Sequence, residues 1–412
     1  MRTLSELVTI ESTKILPNEF AAEEYISTDN MVSDLGGIKF GKSNVPNGKS
    51  TKYSVGDVLF SNIRTYFRKV WLSDRAGACS NDVLVFRPIE ALVTPQFLYY
   101  TLIRPDFTAY SARTSRGAKM PRGDKSAMLD FQIHVPELEE QCRIVSILEV
   151  FDSKIQLDRD MFQTLNAIAG ELYTSWFVNF DPVQSKSSGG IPDFMDSDTA
   201  SLFPASFDGE GLPDGWTKDS IAHYMHIKGG TQPPKSSFLY KEEAGYIRLV
   251  QIRDYESDSK ITFVRDSSSL RRCGPFDVMI GRYGASVGRV GWGLSGAYNV
   301  ALVKAEPHRP SDQEFIRAVC NCDEFQQYIQ SISGRSAQAG FNKSDIAAFL
   351  TCCGTDAIRD AFSSVIRPLR ERQLQLMDEI RTLEALRDAL LPPLLSGGIS
   401  FDDIKKQFKE VA

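Results

Sequence analysis

The sequence predicts a mixed α/β chain of the α+β kind: two similar globular domains joined by two long antiparallel helices that form a coiled-coil spacer, a pseudo-twofold internal repeat. Three observations predict it. First, short marks recur at a near-constant offset. Asn81 and Asn299, and Lys125-Ser126 and Lys343-Ser344, lie 218 residues apart; Asp57-Val58 and Asp277-Val278 lie 220 apart, and Tyr25-Ile26 and Tyr246-Ile247 lie 221 apart. Second, each copy is a segment of short apolar runs followed by a long stretch whose apolar residues step by threes and fours, the period of a helix face. Third, Leu148, Leu165 and Leu172 fall on Ile366, Leu383 and Leu390 at the same offset of 218. A repeat this long implies two related domains rather than a solenoid. Two diverged copies imply two related but different recognition tasks.

The first domain is read over residues 1–135. Val58-Leu59-Phe60 and Val83-Leu84-Val85-Phe86 are separated by Gly, Asn and Asp, which suits strands; Gln96 to Tyr100 reads as a short helix. A helical region follows over 136–181, opened by Pro136-Glu137-Leu138-Glu139-Glu140. Proline is tolerated there because its missing N–H would be unpaired anyway, and the acids suit the positive helix end. Its seam reads Leu148, Phe151, Ile155, Phe162, Leu165, Ala169, Leu172, Trp176, broken only by Asp158, the narrow stripe of a coiled-coil pair. About forty helical residues span roughly 60 Å, and Asp181-Pro182 is expected to stop the helix. Residues 182–214, rich in Ser, Gly, Pro and Asp, read as a linker.

The second domain is read over 215–354, with Ile221 after Asp219-Ser220 echoing Leu7 after Ser5-Glu6. A second helical region covers 355–396, with Thr355 as its cap. Pro368 is expected to kink it or to mark the start of its long part, and Pro392-Pro393 to end it. Its seam is Leu369, Leu376, Ile380, Leu383 and Leu390, with Gln373 and Arg387 where the first helix has Ile155 and Ala169. Residues 397–412 form a tail. Each seam is too long to leave in water, and the two match in length, so the helices are expected to pair with each other.

Composition narrows the function classes. A net charge of −6 argues against a wholesale basic nucleic-acid binder but leaves room for local basic surfaces. No stretch approaches the ~18 apolar residues of a membrane span. The first twenty residues carry Glu6, Glu11 and Glu19 and no apolar core, so a signal peptide is not expected and a cytoplasmic location follows. The seven cysteines form no C-x-x-C pair, so buried or incidental thiols are expected rather than a zinc site. His223 and His226 have no ligand partner at metal spacing. No dinucleotide or P-loop glycine motif is present, and Gly281 to Gly288 runs into an extended Arg289 to Trp292. Asn179-Phe180-Asp181-Pro182 only faintly resembles the Asn/Asp-Pro-Pro-aromatic site of amino-methyltransferases and reads as a helix-ending turn.

Polar chemistry concentrates in two clusters per copy. Ser61 to Val70 carries Arg64, Arg68 and Lys69 interleaved with Tyr66 and Phe67; Arg113 to Lys125, read as a loop, carries Arg113, Arg116, Lys119, Arg122 and Lys125 against Asp124 alone. The second copy offers Arg282, Tyr283 and Arg289, then Arg335, Gln338, Asn342 and Lys343. Arginine and lysine neutralise phosphates. Arginine, glutamine and asparagine also make bidentate contacts to base edges. Recurrence in both copies favours DNA contact over a solvated loop, with Arg116, Lys119, Arg335 and Gln338 foremost.

The chain resembles a known family, the DNA specificity (S) subunit of type I restriction–modification systems. The resemblance rests on Ser175-Trp-Phe-Val-Asn-Phe-Asp-Pro-Val183, on Met195-Asp196 through Ser201-Leu-Phe-Pro-Ala-Ser-Phe207 to Leu212-Pro-Asp-Gly-Trp216, on Leu386-Arg-Asp-Ala-Leu-Leu-Pro-Pro-Leu-Leu-Ser-Gly397, and on Pro136 to Gln141 with Ile144-Val145. It covers nearly the whole chain. It departs at the start, where the first copy lacks the Gly-Trp that opens the second. The resemblance implies two target-recognition domains, each reading half of a split sequence in double-stranded DNA. It also implies helices that bind two modification (methyltransferase) subunits, and restriction (endonuclease/translocase) subunits that complete the nuclease. It implies no catalytic residue and no cofactor in this chain, S-adenosylmethionine, ATP and magnesium belonging to the partners. Two other readings are a DNA methyltransferase or nuclease in its own right and a tandem-domain protein-binding scaffold.

Overall fold

Val58 to Phe60 and Val83 to Phe86 are apolar without alternation because they are buried on both faces. Val58, Phe60, Leu84 and Phe86 belong to one hydrophobic cluster, and Leu59, Val83 and Val85 to another. The computed structural model describes residues 1–41, 45–256, 258, 260–333 and 340–399. It divides into two units, Met1–Leu157 with Ile380–Ala412, and Asp158–Glu379.

In the first unit β1 (Arg2–Thr3) pairs antiparallel with β10 (Gln132–Ile133). One four-stranded sheet has the order β2 (Val8–Ile10), β9 (Val83–Pro88), β6 (Val58–Ser61), β7 (Val70–Leu72). The other has the order β3 (Lys14–Ile15), β5 (Ser50–Tyr53), β8 (Gly77–Cys79), β4 (Tyr25–Ile26), with β4 and β8 parallel. The helices α1 (Pro95–Ile103) and α2 (Pro105–Thr114) bury Phe97, Leu98, Ile103 and Phe107 against the first sheet's cluster. Thr94 caps α1 by accepting the Phe97 N–H at 3.2 Å. A short α3 (Lys125–Leu129) precedes β10.

The second unit repeats this order. β11 (Lys218–Ser220) pairs with β20 (Leu350–Cys352). The sheets run β12 (Met225–Gly229), β19 (Leu302–Pro307), β16 (Val278–Gly281), β17 (Val290–Gly291), and β14 (Phe263–Arg265), β13 (Tyr246–Val250), β18 (Gly296–Tyr298), β15 (Arg272–Cys273). The helices α7 (Gln313–Asn321), α8 (Asp323–Ser333) and α9 (Lys343–Ala347) follow in the places of α1 to α3. Most of the repeat marks are structural equivalents. Ser54 N–H donates to Asp57 at 2.7 Å, and Gly274 N–H to Asp277 at 2.8 Å. Asp124 and Asn342 cap α3 and α9.

Two marks shift. The Leu4 N–H donates to the Phe131 carbonyl at 2.9 Å and that of Ile221 to the Phe349 carbonyl at 3.0 Å. Ile221 therefore corresponds to Leu4, not Leu7. Tyr25-Ile26 pairs with Ala78-Cys79 as Leu249-Val250 pairs with Ala297-Tyr298, so the match to Tyr246-Ile247 was three residues out of register. A dipeptide identity does not fix register; hydrogen bonding does.

The helix α4 spans Leu138–Tyr173 and α10 spans Asp356–Leu395. In the first unit Arg387 meets Asp152 at 2.7 Å, while Leu391, Leu394 and Leu395 share a cluster with Ile144, Val145 and Leu148. In the second unit Arg370 donates to Asn166 at 3.0 Å, and Gln373 to the Phe162 carbonyl at 2.9 Å. Within each unit the two helix segments therefore run antiparallel. Leu148, Ile155 and Leu376 are buried as read, whereas Phe151, Phe162, Leu165, Leu172, Leu369, Ile380, Leu383 and Leu390 are half-buried. The apolar seam is interrupted by buried Asp158, Arg370, Gln373 and Arg387, which find polar partners or helix carbonyls.

The proline expectations are corrected at three places. Pro368 lies inside a continuous α10 and so does not mark the start of its long part, and Pro392-Pro393 sit within its last turns, two residues short of its end. Asp181-Pro182 opens a short α5 (Asp181–Ser187), with proline in the first turn. What stops α4 is a π-turn over Thr174–Val178 and then Phe180, left-handed at φ 58°. Residues 182–214 are no open tether: α5, α6 (Ser197–Ser201) and their neighbours bury Val183 and Phe203 in the second unit's core. Trp176, Phe177, Phe203 and Trp216 pack there with Phe362, so this stretch is the hydrophobic joint between α4 and the second domain.

Candidate nucleic-acid interface

In the first unit the fold joins the two basic clusters. The Arg64 N–H donates to the Pro121 carbonyl at 2.8 Å, and the Gly123 N–H to the Asn62 carbonyl at 3.0 Å. Arg116 and Arg122 exchange two backbone hydrogen bonds of 2.8 Å, closing a hairpin over residues 117–121. Gly117, at φ 102°, takes a conformation other residues resist. The stretch from Arg113 to Lys125 is thus not all loop: Arg113 ends α2, and Lys125 opens α3.

The side chains divide by what they touch. Arg64, Arg113, Lys119 and Lys125 are exposed, as is Tyr66, whose ring lies 4.8 Å from that of Phe67. Arg113 lies over the Tyr110 ring at 5.7 Å. Arg116 pairs with Asp124 at 2.6 Å and Arg122 with Asp82 at 2.8 Å; both stay more than half exposed. Such surface pairs are weak and leave an arginine able to exchange a carboxylate for a phosphate. The Ala127 N–H, with Arg116 adding, holds the Asp124 carboxyl below its ordinary range. Arg68 and Lys69 instead serve the fold. Arg68 binds Asp388 at 2.7 Å and the Ile103 carbonyl at 3.2 Å. Lys69 donates to the Thr28 carbonyl at 2.7 Å, and burial lowers its pKa.

The second unit builds the same joint. Ile63 bridges Arg122 in one copy, and Tyr283 bridges Gly340 in the other. Arg282 Nε donates to the Phe341 carbonyl at 3.2 Å and its guanidinium lies 5.0 Å over Tyr283, whose ring is exposed. Arg289 is tied to Glu256. The Asn342 side-chain oxygen caps α9, accepting from the N–H groups of Ser344 and Asp345. Lys343 is exposed. Arg335 and Gln338 lie outside the described residues.

Lys228 and Arg271, not singled out by sequence, join this surface. A cleft of about 300 Å³ is lined by His226, Lys228, Gly229, Arg271 and Lys343, with Ile227 at its wall. Glu306 offsets part of its charge, meeting His226 at 2.8 Å and Lys228 more closely. The only sequence signal was the alternation of His226 and Lys228 along one strand, and Arg271 is 43 residues beyond Lys228. Among the described residues no group of three metal-ligating side chains converges and no helix is long and apolar enough to cross a membrane. Cys79, Cys273, Cys320, Cys352 and Cys353 are buried, and desolvation raises all five thiols. They are poor nucleophiles.

Comparison with known proteins agrees with this architecture. Residues 1–167 match the family described as type I restriction modification DNA specificity domain. Over 397 residues the chain is 24% identical to the type I restriction enzyme HindI specificity subunit of Haemophilus influenzae, covering 84% of this chain and 86% of that one. It is 22% identical over 334 residues to the MjaIX specificity subunit of Methanocaldococcus jannaschii, covering 76% and 71%. Its fold is similar to the crystal structure of the type I restriction–modification S subunit from M. genitalium, with a TM-score of 0.53 at 14% identity, covering 96% of this chain and 95% of that one.

Proposed function

We propose, on the match of its first 167 residues to the type I specificity domain and on the specificity subunits it resembles along most of its length, that the chain is a type I restriction–modification specificity subunit, each of whose two domains reads one half of a bipartite DNA target. One observation carries this. The joint that sets a basic turn beside a hairpin in the first unit recurs in the second, through Ile63 with Arg122 and Tyr283 with Gly340. A shared scaffold presenting different side chains is what two different half-sites require. Arg64, Tyr66, Arg113, Arg116, Lys119, Arg122 and Lys125 would face the first half-site. Arg282, Tyr283 and Lys343, with Lys228 and Arg271, would face the second.

On this reading α4 and α10 set the half-site spacing and dock two modification subunits. On α4 Val150 and Leu157 are exposed one heptad apart in the first unit, and Met161 and Ile168 repeat that spacing in the second. An apolar stripe left uncovered on a helix suits a partner helix. S-adenosylmethionine, ATP and magnesium would enter with the modification and restriction subunits.

The test is a genome-wide map of modified bases in cells making the modification subunit with and without this chain. A split methylated motif present only with the chain is expected. An active modification subunit giving no chain-dependent motif would favour a protein-binding scaffold instead.

A further inference from the structure

The first domain holds two arginines in left-handed backbone. Arg64 has φ 50° and ψ 60°, and Arg68 has φ 50° and ψ 44°, flanking the short 3-10 turn Thr65–Phe67. The second domain makes the same turn with glycine: Gly284 at φ 66° and Gly288 at φ 81° flank or open its turn Gly284–Ser286, 220 residues on. Non-glycine residues resist this conformation, and bulky ones hold it only where something else fixes them. For Arg68 the fixing contacts are internal, Asp388 and the Ile103 carbonyl. Arg64 is held by its backbone alone: its side chain is exposed and makes no hydrogen bond or ion pair among the described residues. Space does not separate the copies, since a Cβ at Gly284 would meet nothing within 4 Å.

We infer that Arg64 is a specificity-determining residue of the first domain, its guanidinium reading a guanine edge in the major groove. This rests on the DNA-recognition reading above. A phosphate contact does not need such a position, because a long flexible cation reaches phosphate from ordinary backbone, as Lys119 and Lys125 are placed to do. A bidentate contact to the O6 and N7 of guanine needs a planar fork on a fixed trajectory. The turn supplies it: the Arg64 N–H is bonded to Pro121 and the Phe67 N–H to the Arg64 carbonyl at 2.9 Å. Backbone strain is held where direction matters. The second domain, with glycine there, must read its half-site through other groups, among them Arg282 two residues earlier.

The experiment uses the full chain with its modification subunit and compares wild type, Arg64→Gly and Arg64→Lys by methylome and thermal midpoint. Glycine suits φ 50°, so Arg64→Gly should leave the midpoint unchanged or raised. It should make one guanine position of one half-site degenerate, discrimination there falling roughly 5- to 150-fold, with the other half-site and the spacer intact. Arg64→Lys should relax the same position. A motif unchanged in Arg64→Gly, a uniform loss of methylation without degeneracy, or a lowered midpoint would each overturn the inference. The wild-type arm separates the two levels: if it yields no chain-dependent motif, the recognition reading itself fails, and if it does, the failure is that of Arg64 alone.

Discussion

Glu11 accepts the N–H groups of Ser12 and Thr13 at 2.8 and 2.7 Å and pairs with Arg87, which also holds Asp57. The Thr13 hydroxyl and N–H, then Ser12 and Arg87, pull its pKa from 4.5 to about 2. The folded pKa lies below the unfolded one, so its stabilisation is complete above about 4.5 and is lost as pH falls toward 2. Glu11→Gln should therefore flatten the acid limb of a stability–pH profile between those values and lower neutral-pH stability by about 1 kcal/mol; an unchanged acid limb would show that Glu11 is not linked. At this scale the sequence separates residue types but not their duties. Arg64 and Arg68 look alike in a cluster of basic and aromatic residues, and what distinguishes them is Asp388, 320 residues from Arg68. The Lys228, Arg271 and Lys343 cleft stayed hidden for the same reason: β12, the residue before β15 and the first residue of α9 are brought together by the fold, not by neighbourhood in the sequence.

The helices were legible as elements because a period of three and four survives over forty residues, and their antiparallel sense within each unit agrees with it. Their polar layers were less so. Gln373 and Arg387 stood out only as misfits in an apolar stripe, and their partners are on α4. The largest of these layers lies in the second unit, where buried Glu314 binds Arg317 at 2.9 Å and lies 3.7 Å from Arg370. Both guanidinium groups sit over Trp292. Burial, and then Arg317, push Arg370 down to about 10, with Glu314 opposing. Removing the one anion strands two buried cations, so Glu314→Ala should cost about 3–5 kcal/mol in the second domain's denaturant unfolding. A loss below about 1 kcal/mol would mean that water reaches the cluster. Proline misled at helix ends because a ring in the first turn costs nothing there, and because tertiary packing can carry a helix through an interior proline.

At the scale of the molecule, duplication was the clearest message in the sequence, and hydrogen-bond register in each unit corrected it by only a few residues. The segment before Trp216 was harder to read, since Ser, Gly and Pro mask the few apolar residues, Val183 and Phe203, that anchor it. If two diverged copies read two half-sites through helices of fixed length, the length of α4 and α10 must be written into the DNA target. Four residues inserted into each helix add about 6 Å, roughly two base pairs at about 3.4 Å each. The direct measurement is the methylated motif of that variant with its modification subunit. The same two half-sites separated by a longer spacer are expected; the same half-sites at unchanged spacing would contradict a helical ruler.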